Sequence, residues 1–63
     1  MNAIKYYRMQ KGLTQDELAE FLDLAKQTIS NYETEFRTPS VDRYKEIAKE
    51  LKLDDWTVLT KEV

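Results

Sequence analysis

The sequence predicts an all-α fold of five short helices in a compact arrangement, and three observations carry that prediction. Apolar residues recur at intervals of three and four, as in Tyr44, Ile47, Ala48 and Leu51, with no alternating run of the kind a strand needs. The chain has one Gly and one Pro, and each falls between two periodic segments, where a helix stops or cannot continue. Residues that cap helix N-termini stand immediately ahead of those segments.

Taken in order, Asn2 is placed to cap a first helix carrying Ile4, Tyr7 and Lys11 along one side. Gly12 supplies the left-handed stop, and Lys11 suits the dipole of the last turn. Thr14-Gln15-Asp16-Glu17 reads as a capping box: Thr14 accepts the N–H three residues on while Glu17 reaches back. It opens a second helix with Leu18, Ala19 and Leu22 as its apolar positions, and Asp23-Leu24 interrupts the period. A third helix is expected from Lys26 to Thr34, with Ile29 and Tyr32 facing inward. Glu35 to Pro39 is a loop that Pro39 keeps from continuing as helix, and Ser40 caps the fourth helix. Asp54 is the expected cap of a short fifth helix containing Trp56 and Leu59. The adjacent pair Asp54-Asp55 therefore reads as a cap and a dipole-favoured first turn, not as acid–base or metal chemistry.

Composition narrows the function. With 63 residues the chain is expected to be one domain, 1–63, with a thin core, because a domain of this size buries only about 60% of its unfolded surface. It has no Cys and no His, which removes disulfides, thiolate nucleophiles and the commonest zinc ligands together. No metal or cofactor is expected. No stretch approaches the roughly 20 apolar residues of a membrane span, and Met1 to Gly12 lacks the apolar centre of a signal peptide. A soluble, cytoplasmic protein is the expectation. No glycine-rich phosphate loop or nucleophile–base pair stands out, so an enzyme is not expected. Ten Lys and Arg against twelve Asp and Glu leave a net charge of −2, so any basic surface for a polyanion must be local.

The most informative segment is 15–34, two helices joined by a tight turn; with its cap the helix-turn-helix unit runs from 14 to 34. Leu18, Leu22, Leu24, Ile29 and Tyr32 are apolar where such a unit needs an inner face. Ala19 is small where the two helices cross most closely, and a larger side chain there would splay them. The chain resembles the lambda-repressor-like, or Cro and XRE-family, helix-turn-helix domains over most of its length, from Ile4 to Leu59. The matching residues are Ile4, Arg8, Gly12-Leu13-Thr14-Gln15, Glu17-Leu18-Ala19, Thr28-Ile29-Ser30, Glu33, Pro39-Ser40 and Ile47-Ala48.

That resemblance implies a DNA-binding transcriptional regulator, repressor-like and of phage or bacterial type, that inserts its third helix into the major groove. Lys26, Gln27 and Asn31 match positions that reach base edges; Lys suits guanine acceptors, and Gln or Asn can bond adenine through two contacts. Gln15, Thr28, Ser30, Arg37, Thr38, Ser40 and Arg43 match or adjoin positions that touch phosphate or sugar, which fix register without reading sequence, and the resemblance implies that Gln15 also braces the third helix. The competing reading of the same residues is an ordinary solvated face. Arg8 and Glu33 are implied to form a structural ion pair between the first helix and the end of the third. With so few cations the module is expected to act as a homodimer, its recognition helices about 34 Å apart on a pseudo-palindrome. The resemblance points to the fifth helix, from Trp56 to Val63, as the pairing surface.

Several positions depart from the family pattern. Asp23 and Glu35 stand where Gly is usual, and Ala25 replaces the Ser or Thr that caps the third helix. Phe36 and Phe21 replace residues that are more often polar. These departures, with the acidic balance, open a second reading: a module on the same scaffold that binds a protein partner through Phe21 and Phe36, such as an antagonist of a related repressor, with Tyr6 adding to that surface.

Overall fold

The computed structural model describes every residue from Met1 to Val63. It is helical throughout: α1 (Ala3–Gln10), α2 (Gln15–Phe21), α3 (Lys26–Glu33), α4 (Val41–Glu50) and a 3-10 helix over Trp56–Thr60. There is no β-strand, only an isolated antiparallel bridge between Asn2 and Glu62. The all-α prediction holds, but the fifth element is a short 3-10 helix and not an α-helix reaching Val63. Its cap is Asp55 rather than Asp54. The Asp55 carboxylate accepts the hydroxyl and then the backbone N–H of Thr57, and those bonds hold it below the usual carboxylate range.

The other starts and stops follow local chemistry. Asn2 accepts the N–H of Lys5, Ser40 accepts the N–H of Arg43, and both halves of the Thr14–Glu17 capping box are made. Ala25 starts α3 with no side-chain cap. At the end of α3, Thr34 is the cap and not part of the helix; its hydroxyl donates back to the Ser30 carbonyl at 3.0 Å.

One core joins the elements. Ile4, Leu18, Ala19, Ile29, Ile47, Ala48, Leu51 and Leu59 are buried together, and Tyr7, Tyr32, Tyr44 and Trp56 pack against them partly exposed. Tyr44 stacks on Trp56 with ring centres 6.0 Å apart, which fastens the 3-10 turn to α4. In α1 the inward side is Ala3, Ile4 and Arg8, while Lys11, expected beside Ile4 and Tyr7, is exposed as the C-cap. A charged residue thus fills a position on the inner side of α1.

Four turns use the left-handed region: Gly12 at φ 71°, and three side-chain-bearing residues, Asp23 at 58°, Glu35 at 63° and Lys52 at 58°. The conformation costs an L-residue about 1–2 kcal/mol, and Asp tolerates it better than Glu or Lys. Glycine gives back about 0.5–1 kcal/mol of this through the freedom it loses on folding. Glu35→Gly and Lys52→Gly should therefore each stabilise by about 0.5–1 kcal/mol and Asp23→Gly by less, read as midpoints of urea unfolding. A loss of stability at Glu35 or Lys52 would show that the side chain has a compensating role.

Candidate nucleic-acid interface

The backbone sets up the central pair of helices. Asp23 reverses the chain after α2, and the Leu24 N–H donates to the Ala19 carbonyl at 2.8 Å, closing the turn beside the small residue at the crossing. From there α3 divides into two sides. Its buried residues are Ile29 and Glu33, whereas Lys26 and Gln27 are exposed and Thr28, Ser30 and Asn31 are half-buried. A spacing of four puts Gln27 and Asn31 on one face, and the Gln27 amide Nε2 donates to the Asn31 Oδ1 at 2.9 Å.

The inner side of α3 is held by a buried charge network. The Glu33 carboxylate accepts Arg8 Nε at 2.6 Å on Oε2 and Arg8 Nη2 at 3.0 Å on Oε1. The Arg8 and Glu33 side chains are only 10% and 3% exposed. Arg8 Nη1 also donates to the Leu13 carbonyl at 2.7 Å, and Gln15 Nε2 donates to Glu33 Oε1 at 3.0 Å. No buried side-chain nitrogen or oxygen is left without a partner. This answers the cost of burying charge, since every buried side-chain nitrogen and oxygen keeps at least one hydrogen-bond partner. A brace from Gln15 to the third helix is implied by the family resemblance, but neither its partner, Glu33, nor the Arg8 contact to the Leu13 carbonyl is legible in the sequence; the partners are 18 and 5 residues apart and no spacing rule connects them.

The remaining candidate residues lie beyond α3. The Arg37 N–H donates to the Asn31 carbonyl at 3.1 Å, which ties the loop to the end of α3 and fixes where the exposed Arg37 and Thr38 begin. The Arg37 guanidinium lies 6.0 Å from the centre of the Phe36 ring. Ser40 is exposed but its hydroxyl oxygen already caps α4, and Arg43 pairs with Glu46 at 3.0 Å. Lys26 and Arg37 make no ion pair within the chain. Tyr44, beneath the loop, is raised above the ordinary tyrosine value, first by burial and then by the charge of Glu35. Phe21 and Phe36 are 55% and 74% exposed, so both aromatic departures from the family pattern are on the surface.

Compared with protein families, the chain matches a model described as helix-turn-helix across residues 4–55. The chain belongs to the helix-turn-helix family of lambda-repressor and Cro-like, XRE-type domains. Comparisons with curated proteins and with solved structures gave no match. The matched span runs from α1 through α4, so it takes in the crossing of α2 and α3, the Arg8–Glu33 network and the loop that follows. Membership makes this a DNA-binding regulatory domain, a family not typically enzymatic. No helix of the domain is long and apolar enough to cross a membrane.

Proposed function

We propose that this helix-turn-helix domain is a sequence-specific, repressor-like transcriptional regulator of phage or bacterial type, working in the cytoplasm with α3 in the major groove of duplex DNA. The observation that carries the reading is the division of α3. Ile29 and Glu33 clamp one side, Gln27 and Asn31 stand on the other, and Lys26 is exposed at the first position of the helix, an arrangement that can enter a groove about 12 Å wide. In this reading those three side chains meet base edges. Gln15, Thr28, Ser30, Arg37, Thr38 and Ser40 meet the sugar-phosphate backbone, and Arg43 joins them by leaving Glu46. Residues 1–63 act as one domain, with 14–34 as the helix-turn-helix unit.

A module with net charge −2 gains little from counterion release, so two copies on one duplex supply what one lacks. We assign it as a homodimer on DNA. The segment from Trp56 to Val63 has less surface to offer a partner copy than a free helix would: Leu59 is buried in the domain's own core, and Glu62 bonds the Met1 amine at 3.1 Å.

The test is site selection from random duplexes, followed by affinity measured against salt. Log affinity should fall by roughly 0.9 per phosphate neutralised for each unit of log salt. Gln27→Ala should relax base choice at one position. Arg37→Ala should weaken all sequences about equally and reduce the slope by roughly one. Failure to enrich any sequence would overturn the reading.

The exposure of Phe21 and Phe36 favours one second reading, a protein partner docked on those rings. It predicts binding that is insensitive to salt and lost on Phe36→Ala.

A further inference from the structure

We propose that Glu33 is a positioning residue for DNA binding: its carboxylate orients the Gln15 amide so that an N–H, not the carbonyl, is offered to the DNA backbone. The proposal rests on the reading of Gln15 as a phosphate contact, and deepens it.

A glutamine amide has one oxygen that only accepts and one NH₂ that only donates. Left free at a surface, it can turn either end toward a neighbour, and a phosphate repels the oxygen as strongly as it attracts the N–H. Glu33 removes that choice. An ionised carboxylate is acceptor-only, so it takes the Nε2 end of Gln15, observed at 3.0 Å, and rejects the Oε1 end. The second N–H on that Nε2 takes no part in any hydrogen bond within the domain.

The carboxylate can do this because it is itself fixed. Two nitrogens of the Arg8 guanidinium grip it, one on each oxygen, from inside the domain. Arg8 is held in turn by the Leu13 carbonyl, immediately before the capping box that starts α2. Rigid support of a contacting group by buried partners reduces the ordering that binding would otherwise require. The chain from Leu13 through Arg8 and Glu33 to Gln15 thus links the folded interior to one donor on a half-buried side chain at the start of α2.

Two measurements test this. The first is a double-mutant cycle on affinity for a selected duplex, with each variant shown by circular dichroism to be folded at the temperature used. Gln15→Ala should weaken wild-type binding by about ten-fold, the range of one hydrogen bond to a charged group. In a Glu33→Gln background, where the amide can turn either way, the same change should cost less than about three-fold. Because Gln15 is neutral, its removal should leave the salt slope of either background unchanged. An equal factor in both backgrounds would reduce Glu33 to a structural role and overturn the proposal.

The second measurement avoids the destabilised variant. In the NMR spectrum of the wild-type domain, one Gln15 side-chain amide proton should exchange slowly with solvent and the other fast, and adding duplex should protect the fast one. Equal exchange of the two protons in the free domain would also overturn the proposal. If the wild type selects no duplex at all, the functional reading fails first and the positioning role goes with it. That result is distinct from a duplex-binding protein in which the cycle shows no coupling.

Discussion

Arg8→Ala and Glu33→Ala should each cost about 3–5 kcal/mol of folding stability, and the double variant should cost far less than their sum. The reason is what each single change leaves behind. Without Glu33, a guanidinium only 10% exposed keeps the Leu13 carbonyl but loses its counter-charge. Without Arg8, a carboxylate 3% exposed keeps only the neutral Gln15 amide. Folded domains are stable by about 5–15 kcal/mol and small ones lie at the low end, so either loss should take most of the total. Removing both partners removes both stranded charges. Replacing the pair by apolar residues of similar volume, as in Arg8→Met with Glu33→Leu, should come near to neutral, since buried pairs seldom outperform packed hydrocarbon. Urea unfolding of the two single variants and the double alanine variant gives the coupling directly. Additive losses would mean that the two residues do not stabilise each other.

Ile29→Ala should cost about 2–5 kcal/mol and abolish DNA binding at temperatures where the wild type still binds. Ile29 is the one apolar side chain of α3 that is wholly buried, and α3 begins without a side-chain cap. Tyr32 packs on the core only partly buried, and Asn2 bonds its carbonyl at 3.1 Å, so Ile29 and the Glu33 network are the fully buried anchors of the helix. The thermal midpoint should fall by at least about 8 °C, taking about 4–8 °C per kcal/mol for a domain near this size. Gln27→Ala, on the opposite side of the same helix, should change stability by less than about 0.5 kcal/mol, so its effect on base choice can be read without a folding correction. A loss below about 1 kcal/mol at Ile29 would show that α3 is anchored elsewhere.

Much of the fold was legible because its signals are short. The Thr14–Glu17 box, the Asn2 and Ser40 caps and the Gly12 stop each depend on residues within one turn of helix, and each appears as expected. Legibility failed where two short signals competed. Asp54 and Asp55 are both acceptable caps, and Thr57 decides for Asp55 by donating two hydrogen bonds to it. The last element is shorter than its apolar pattern suggests for a related reason. Its apolar residues, Trp56 and Leu59, fit an α-helix, but after the 3-10 turn Glu62 bridges to Asn2 and ends the helix before Val63. Lys52 carries no sequence mark of a left-handed residue, because glycine, Asn or Asp would be the usual sign.

The sequence by itself determined the helices, their caps, the family and the identity of the residues proposed to face DNA, because these are set by neighbours within a few positions or by pattern along the chain. The family pattern implied the Arg8–Glu33 pair, but only the tertiary structure decided that Gln15 shares the Glu33 carboxylate with Arg8, across a separation of 18 residues. Contacts at that range depend on how the helices cross in space, and on the need of a buried charge to find every partner within reach; neither leaves a trace in local spacing.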